Sequence, residues 1–325
     1  MLAPSGYQPL PPKKIYVAWD EINNEVSVLI GCSGWSYEDW VGRFYPVALA
    51  RKKEEWLRYY ASYFNTVEIN STFYRLPNEF MVNGWIKKGL TLKGFEYSAK
   101  MPQAVTHELM VRMEGAKAGI QATVFEETCV KPLAENGLLG TVLVQLSPRF
   151  EHGGRSVEAL REVLDALDTD KYRYAVEFRH RSWTDNGSGR LQASAAGLLR
   201  DRNVANVLVD GPGFPLVAEM TADHAYIRFH GRNYDIWFDE EREEDIRQSR
   251  YDYLYNEEEL RPWKDMIDGL SSKVKDVRVY FNNNGRAKGA KNAFQLMDML
   301  SIPHRGREIQ VQDQATLGSF LMYKK

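Results

Sequence analysis

Residues 173–183 read RYAVEFRHRSW, and the pattern within this stretch decides the predicted fold. A β-strand directs successive side chains to opposite faces. Val176 and Phe178 would then share an apolar face, whereas Glu177 and Arg179 would share the opposite face. The pattern therefore predicts a strand with one face for a packed core and a charge pair at its carboxyl end.

Three other segments repeat this alternation of apolar and polar positions. The polar positions are Glu68 and Asn70 in TVEIN, Arg228 and His230 in AYIRFH, and Tyr280 and Asn282 in VRVYFN. Strands of a closed parallel barrel need such an alternation, and their carboxyl ends gather at one mouth. We therefore expect a barrel whose polar groups meet at that mouth.

Eight predicted strands alternate with helical patterns along the chain. They begin near residues 27, 66, 95, 141, 173, 204, 225 and 277. This count and order predict an α/β fold, a single (β/α)8 barrel of the TIM type, rather than an open doubly wound sheet. Residues 27–325 are predicted to form the barrel domain, and residues 1–26 an N-terminal extension, an arm that includes a hairpin. No GxGxxG motif follows a strand, so a Rossmann dinucleotide site has no support. No cofactor is predicted.

The composition is that of a globular protein without a strong charge bias. The chain has 325 residues, 44% of them hydrophobic, and a formal net charge of −2, so a nucleic-acid partner is not favoured. Cys32 and Cys129 lie far apart without a CxxC partner, which indicates neither a disulfide framework nor a zinc cluster. No apolar run reaches the roughly 18–20 residues of a membrane span. We expect a cytoplasmic protein that has no membrane partner.

Eight blocks of sequence carry a family resemblance. They are GCSGWSYEDW, FYP, FNTVEINSTFYRLP, FEYSAKMPQAVTH, GTVLVQLSPRF, YAVEFRHRSW, YIRFHGRN and VYFNN. Their order, from about Val28 to Leu300, resembles that of the domain-of-unknown-function 72 proteins, also called YecE-like. The resemblance implies a TIM-type barrel and supplies no reaction. The motif residues that it implies are Gly34, Trp35, Glu68, Asn70, Tyr74, Lys100, His107, Gln145, Glu177, Arg179, Trp183, Arg228, His230, Asn282 and Asn283.

The predicted site is the barrel mouth, because TIM barrels carry their active sites at the carboxyl ends of the strands. The predicted ring consists of Ser33, Glu68, Lys100, Gln145, Glu177, Arg179, Asp210, Arg228, His230 and Asn282. We predict Glu177 and Glu68 as general acid and base, with Lys100 and His230 as proton donors or electrophiles. The predicted substrate-binding residues are Trp35, Asn70, Tyr74, Gln145, Arg179, Trp183, Arg228, Asn282 and Asn283.

A structural alternative stays open for the same charges. Glu177 could pair with Arg228 or Arg179, and Glu68 with Lys100, as interior ion pairs that fill the barrel. The aromatic residues of the site also have two readings. Trp35, Tyr74 and Trp183 could wall a pocket for a sugar face or a base, or they could pack in the core or at its rim.

Residues 282–289, reading NNNGRAKG, are a candidate anion site. Glycines beside Arg286 and Lys288 precede a helix, where free N–H groups and the helix dipole favour a phosphate or carboxylate. Arg232 would support this interpretation. A plain solvated loop is the alternative.

A divalent metal is the weaker hypothesis. Glu68, Glu177, Asp210 and His230 are suitable ligand types, but the chain has no HxH or HExxH spacing and nearby cations would compete. No resident metal is predicted. His107 is predicted to be a helix cap or a hydrogen-bonded structural residue.

These patterns predict an enzyme that uses acid/base chemistry on a small anionic substrate bearing phosphate or carboxylate. Isomerisation and hydrolysis stay equally open. One alternative is a metal-assisted phosphodiesterase that acts on nucleic acid, which rests on analogy between folds. The other is a ligand-binding or interaction module without chemistry.

Overall fold

The computed structural model describes residues 27–185, 189–213, 217–234 and 249–309. Within these ranges eight parallel strands form one closed barrel, so the predicted TIM-type fold is confirmed. The strands are β1 Ser27–Ser33, β2 Thr66–Ile69, β3 Glu96–Lys100, β4 Leu139–Gln145, β5 Tyr174–Glu177, β6 Ala205–Asp210, β7 His224–Phe229 and β8 Asp276–Phe281. The predicted N-terminal arm, residues 1–26, lies outside the described residues.

Nine α-helices lie within the described ranges. They are α1 Lys53–Ala61, α2 Ser71–Tyr74, α3 Glu79–Gly89, α4 Gly115–Phe125, α5 Lys131–Glu135, α6 Gly154–Asp165, α7 Ala193–Arg200, α8 Glu257–Leu270 and α9 Lys288–Met299. Two π-helical segments, Ala104–Leu109 and Glu126–Val130, flank α4. The predicted alternation has one exception, because the described residues between β6 and β7 contain no helix.

The longer helices cover the barrel with an apolar stripe on one face. In α8 this stripe consists of Leu260, Trp263, Ile267 and Leu270, all buried. Its first turn is closed by a capping box in which Asn256 and Glu259 each accept the other's backbone N–H, which satisfies donors that a helix start leaves free. No helix in the described part of the chain combines the length and the apolar character that crossing a membrane requires.

The barrel wall contains an inserted side chain between β1 and β2. The hydroxyl of Tyr60, on α1, accepts a hydrogen bond from Cys32 N at 2.8 Å and donates one to Thr66 O at 3.0 Å. Direct pairing of the two strands therefore begins only at Cys32 and Val67. The insertion keeps these backbone groups satisfied where the strands separate.

The inside of the barrel is largely polar. Its apolar filling consists of Leu143, Ala175, Ala205, Val207, Val209, Tyr226 and Tyr280. At the amino end, Arg278 forms a bidentate pair with Glu96 at 2.7 and 2.8 Å and also contacts Asp276. Above this layer the Tyr280 hydroxyl bonds to Thr66 and Ser98. Strand register then sets Gln145 level with Glu177 at the carboxyl mouth.

Candidate active site at the barrel mouth

A buried ion triad forms the floor of the mouth. Arg228, on β7, donates from Nε and Nη2 to the two carboxylate oxygens of Glu68, at 3.0 and 2.7 Å. Its Nη1 donates to Glu177 Oε2 at 2.6 Å. All three side chains are almost completely buried. One guanidinium thus holds two carboxylates from β2 and β5 in fixed positions, with the geometry that makes Arg–carboxylate pairs strong.

The remaining oxygens of the two carboxylates are also engaged. Tyr226 donates its hydroxyl hydrogen to Glu68 Oε2 at 2.7 Å. Gln145 Nε2 donates to Glu177 Oε1 at 2.7 Å. Burial alone would raise the pKa of Glu177, but the charge of Arg228, followed by the contact with His230, holds that pKa well below its usual range. Glu177 is therefore a fixed anion at neutral pH.

His230 is held as a neutral imidazole. Burial, helped by the charge of Arg228, lowers the pKa of His230 from 6.5 to about 4, although Glu177 acts in the opposite direction. Its Nε2 lies 3.1 Å from Glu177 Oε1, and its Nδ1 lies 3.0 Å from the amide nitrogen of Asn282. A neutral ring with the hydrogen on Nε2 donates to Glu177 and accepts from Asn282.

Lys100 differs from the rest of the mouth because no carboxylate of the described residues lies beside its amino group. It ends β3, its side chain keeps 8% exposure, and none of the carboxylates in the described ranges lies within 4.0 Å of its Nζ. The Nζ instead lies 3.9 Å from the centre of the Phe73 ring. Burial, followed by the charge of Arg228, lowers the pKa of Lys100 from 10.5 to about 7, although Glu68 and Glu177 oppose this shift.

Two further side chains border Lys100. Arg179 is 11% exposed, and its Nε lies 3.7 Å from Glu177 Oε1. His107, on the first π-helical segment, packs edge-on against Phe73 with ring centres 4.9 Å apart. Burial, followed by the charges of Lys100 and Arg179, lowers the pKa of His107 from 6.5 to about 4. The predicted hydrogen bond of His107 is present, since its Nδ1 lies 2.9 Å from Thr106 Oγ1.

The structure brings most of the predicted ring together. Glu68, Gln145, Glu177, Arg228, His230 and Asn282 form one hydrogen-bonded network, and the charges of Arg228 and Arg179 act on Lys100. Asn70 lies at the edge of this group, where its Nδ2 donates to Ser33 O at 3.1 Å. One interior ion pair of the structural alternative, Glu177 with Arg228, is present. The other, Glu68 with Lys100, is not formed, because Glu68 pairs with Arg228.

The predicted aromatic residues do not meet as the walls of one pocket. Trp183 is fully buried, stacks on Phe150 and donates its Nε1–H to Phe150 O at 2.7 Å. Trp35 packs against the outer core, with its ring 6.5 Å from that of Tyr97. Tyr74 is 73% exposed. Trp183 and Trp35 instead pack in the core, as the alternative interpretation of these residues predicts.

Asp210 and Asn283 also lie away from the ring. Asp210 was expected to face the mouth, but β6 turns Val207 and Val209 inward, so Asp210 faces outward. There it accepts hydrogen bonds from Arg232, Tyr255 and Trp263 at 2.6–2.9 Å. Asn283 is buried and donates to Tyr253 O and Asn292 Oδ1. Both residues anchor the segment after β7 to the barrel wall.

The cations of the candidate anion loop are already paired. Arg286 and Lys288 both bind Asp252, the latter with Nζ 2.9 Å from Oδ1, and Arg232 pairs with Asp210. Each of the cations that were expected to attract a phosphate therefore already has a carboxylate partner within the protein. Arg286 and Ala287 both adopt left-handed backbone conformations, at φ of 54° and 60°. The loop is thus a fixed connection. Among Lys100, Arg179 and Arg228 at the mouth, the side chain without a described carboxylate within 4.0 Å is Lys100.

Two contacts of the site were not predicted. Tyr226 holds Glu68, and Phe73 lies under Lys100. Tyr226 could have been found, because it precedes Arg228 by two residues and so shares its face of the strand. Phe73 gives no such signal, because it lies in the short helix α2 after β2, where no strand alternation applies. Within the described ranges no group of three or more His, Cys, Asp and Glu side chains could hold a metal ion.

Comparisons with known proteins agree with this architecture. The family model described as "Protein of unknown function DUF72" matches residues 29–316. The UPF0759 protein YunF of Bacillus subtilis (strain 168) is 28% identical over 285 residues, which cover 86% of this chain and 96% of YunF. YecE of Escherichia coli (strain K12) is 29% identical over 224 residues, which cover 63% of this chain and 74% of YecE.

A solved structure shares both the sequence pattern and the fold. It is the crystal structure of a DUF72 family protein from Thermotoga maritima MSB8, with 35% sequence identity and a TM-score of 0.71, and the match covers 85% of this chain and 99% of that one. The family model spans all eight strands and reaches from β1 past α9. This chain belongs to the DUF72 family.

Proposed function

We propose that this protein is an enzyme that acts on a small anionic substrate at the barrel mouth, with Lys100 as the group that transfers protons. The observation that carries the proposal is the position of Lys100, whose buried amine lies 3.9 Å from the Phe73 ring with no carboxylate within 4.0 Å among the described residues. Burial in this position lowers the pKa of Lys100 to about 7. A general acid or base works best when its pKa is close to the working pH.

The charge balance of the mouth supports an anionic substrate. The two positive charges of Arg228 and Arg179 balance the two negative charges of Glu68 and Glu177. Lys100 is then the surplus cation of this group whenever it is protonated. An anion beside Lys100 would restore neutrality and would raise the pKa of Lys100, so substrate binding and proton uptake would be linked.

This proposal changes the catalytic roles that were predicted for Glu68, Glu177 and His230. Each carboxylate accepts at least three hydrogen bonds or ion-pair contacts, and His230 is neutral with both ring nitrogens engaged. Groups held in this way fix the charge and shape of the site and are poor proton carriers. Their role in proton transfer stays a prediction, and the geometry favours a positioning role.

A ligand-binding module without chemistry is the second candidate. It is supported by the complete pairing of Glu68 and Glu177, which is also what a purely structural core would contain. The metal-assisted phosphodiesterase has less support from the geometry. Asp210, one of its four proposed ligands, faces away from Glu68, Glu177 and His230.

Anion binding can be tested by thermal unfolding. The wild-type chain and the Lys100→Met variant are heated with inorganic phosphate, dihydroxyacetone phosphate, pyruvate, glyoxylate or gluconate. A ligand present at 100 times its Kd stabilises the folded state by about 2.7 kcal/mol. We expect at least one anion to raise the Tm of the wild type and of a Lys88→Met control, but not that of Lys100→Met. If no anion distinguishes Lys100→Met from the other two, the proposal is wrong.

Proton transfer needs a separate readout. The anion that binds is incubated with the protein in D2O, and exchange of its carbon-bound hydrogens is followed by NMR. Acid/base catalysis predicts exchange that requires Lys100 and increases as the pH rises through about 7. Binding without exchange would favour the ligand-binding module.

A further inference from the structure

The surroundings of Lys100 are suited to a nucleophilic amine. The side chain comes from the inward face of β3 at the point where the strand ends, so it lies at the carboxyl mouth, and 8% of the residue is exposed. Phe73 covers one side of the Nζ at 3.9 Å. Burial and this aromatic contact shield the amine from water.

The charged groups that face Lys100 come from four elements. Glu68 lies on β2, Glu177 and Arg179 at the end of β5, Arg228 on β7 and His107 on the first π-helical segment. The two carboxylates would favour an ammonium ion, but Arg228 binds three of their four oxygens. Gln145 and His230 bind the fourth. All four carboxylate oxygens are therefore bonded to other side chains, and none forms an ion pair with the amine.

We propose that Lys100 forms a Schiff base with the carbonyl carbon of the substrate, so that the substrate is a small aldehyde or ketone that carries a phosphate or carboxylate. This inference rests on the proposed function and names its substrate class. Arg179, at the next inward position after Glu177 and still partly exposed, is the group placed to hold the anionic end. Lysines that act in this way are deprotonated by a desolvated site or by a neighbouring cation, and Lys100 has both.

The step balances without any further reactant. The Nζ lone pair attacks the carbonyl carbon while the C=O π electrons move to oxygen, and a proton passes from nitrogen to that oxygen to give a carbinolamine. Loss of the hydroxyl group with one proton, as water, leaves a C=N bond, which takes up a proton from solvent. The iminium ion withdraws electrons from the neighbouring carbon and so weakens its C–H or C–C bond. This chemistry favours isomerisation or carbon–carbon cleavage over hydrolysis.

Reductive trapping tests the inference on the 325-residue chain. The wild type is incubated with pyruvate, glyoxylate or dihydroxyacetone phosphate, and sodium borohydride is then added to convert any C=N bond into a stable secondary amine. Intact mass and peptide mapping locate the adduct. We expect one adduct per chain at Lys100 with at least one probe, a decrease in that adduct with added inorganic phosphate, and no such adduct in Lys100→Arg. Modification spread evenly over surface lysines such as Lys88 would overturn the inference.

The same variants separate this inference from the proposed function. Lys100→Arg keeps the positive charge but cannot form an imine, so it should retain stabilisation by inorganic phosphate. If anions stabilise the wild type through position 100 and no probe gives an adduct, the Schiff base is wrong and anion binding stands. If neither stabilisation nor an adduct is found, both proposals fail.

Discussion

Arg228 and Glu68 form a two-point contact across the barrel mouth, with Nε 3.0 Å from Oε2 and Nη2 2.7 Å from Oε1. The two residues come from β7 and β2, which are not neighbours in the wall. The third guanidinium nitrogen binds Glu177 on β5. A single side chain thus joins three strands and neutralises two carboxylates that have almost no access to water.

Replacing Arg228 by Met should therefore be strongly destabilising. It leaves two buried carboxylates without their cation, and removing one partner of a buried ion pair costs about 3–5 kcal/mol. The free energy of unfolding in urea measures the loss. Arg161→Met is the control, because Arg161 pairs with Glu158 on the exposed face of α6 and such pairs contribute about 0–1 kcal/mol. Equal effects of the two substitutions would contradict the role of the triad.

Lys100→Met should change how stability depends on pH. The unfolded chain keeps a proton on Lys100 up to about pH 10.5, whereas the folded chain releases it near pH 7. Since the unfolded state binds more protons between these values, this residue makes the wild type more stable as pH rises from about 7 to 10.5. Lys100→Met should be more stable than the wild type at pH 6, by about 1–4 kcal/mol, and this advantage should shrink towards pH 10. A constant difference, or one matched by Lys88→Met, would contradict the depressed pKa.

His107 and His230 should both be neutral at pH 6. Burial lowers the pKa of each ring to about 4, so their contribution to stability is complete above about pH 6.5 and is lost as the pH falls through 4. Imidazole ¹⁵N chemical shifts report the protonation state, and His107→Gln and His230→Gln assign the signals. For His230 we also expect the tautomer with the hydrogen on Nε2. A titration midpoint near 6.5 for either residue would contradict the burial argument.

Gly140 should be intolerant of a side chain. A methyl group there would lie 2.6 Å from Glu96 Oε1 and 2.8 Å from Ser98 Oγ, within the polar layer at the amino end of the barrel. Overpacking of this kind costs about 1–3 kcal/mol. A methyl group added at Gly197, within α7, would have no other atom within 4 Å. Gly197→Ala should therefore stabilise the protein by about 0.5–1 kcal/mol. Chemical denaturation measures both, and the same sign for both variants would contradict the packing of this layer.

Much of the fold follows from local pattern. The predicted strand starts near residues 27 and 66 coincide with those of β1 and β2, and β8 begins at Asp276, one residue before its predicted start. Strong apolar periodicity and clear end signals fix such elements. The polar face of β7 was also predicted, because Ile227 and Phe229 alternate with Arg228 and His230 along the strand.

The residues whose direction or partner was predicted wrongly have no local sequence pattern that determines it. β6 is apolar on both faces, with Leu208 in the outer core and Val207 and Val209 inside, so nothing in its sequence fixes the direction of Asp210. The choice between Arg228 and Lys100 as the partner of Glu68 depends on distances across the barrel, which strand spacing along the chain does not give. Arg286 and Lys288 both bind Asp252, which lies more than 30 residues away along the chain and which no local pattern identifies as their partner.

The most direct test of this account is the pH titration of the Lys100 amino group. Lysine labelled with ¹³C at the ε carbon gives one signal per residue, and comparison with Lys100→Met identifies the signal of Lys100. We expect a midpoint of about 7, which rises when an anion of the substrate class binds. A midpoint close to the ordinary value of 10.5, unchanged by anions, would contradict it.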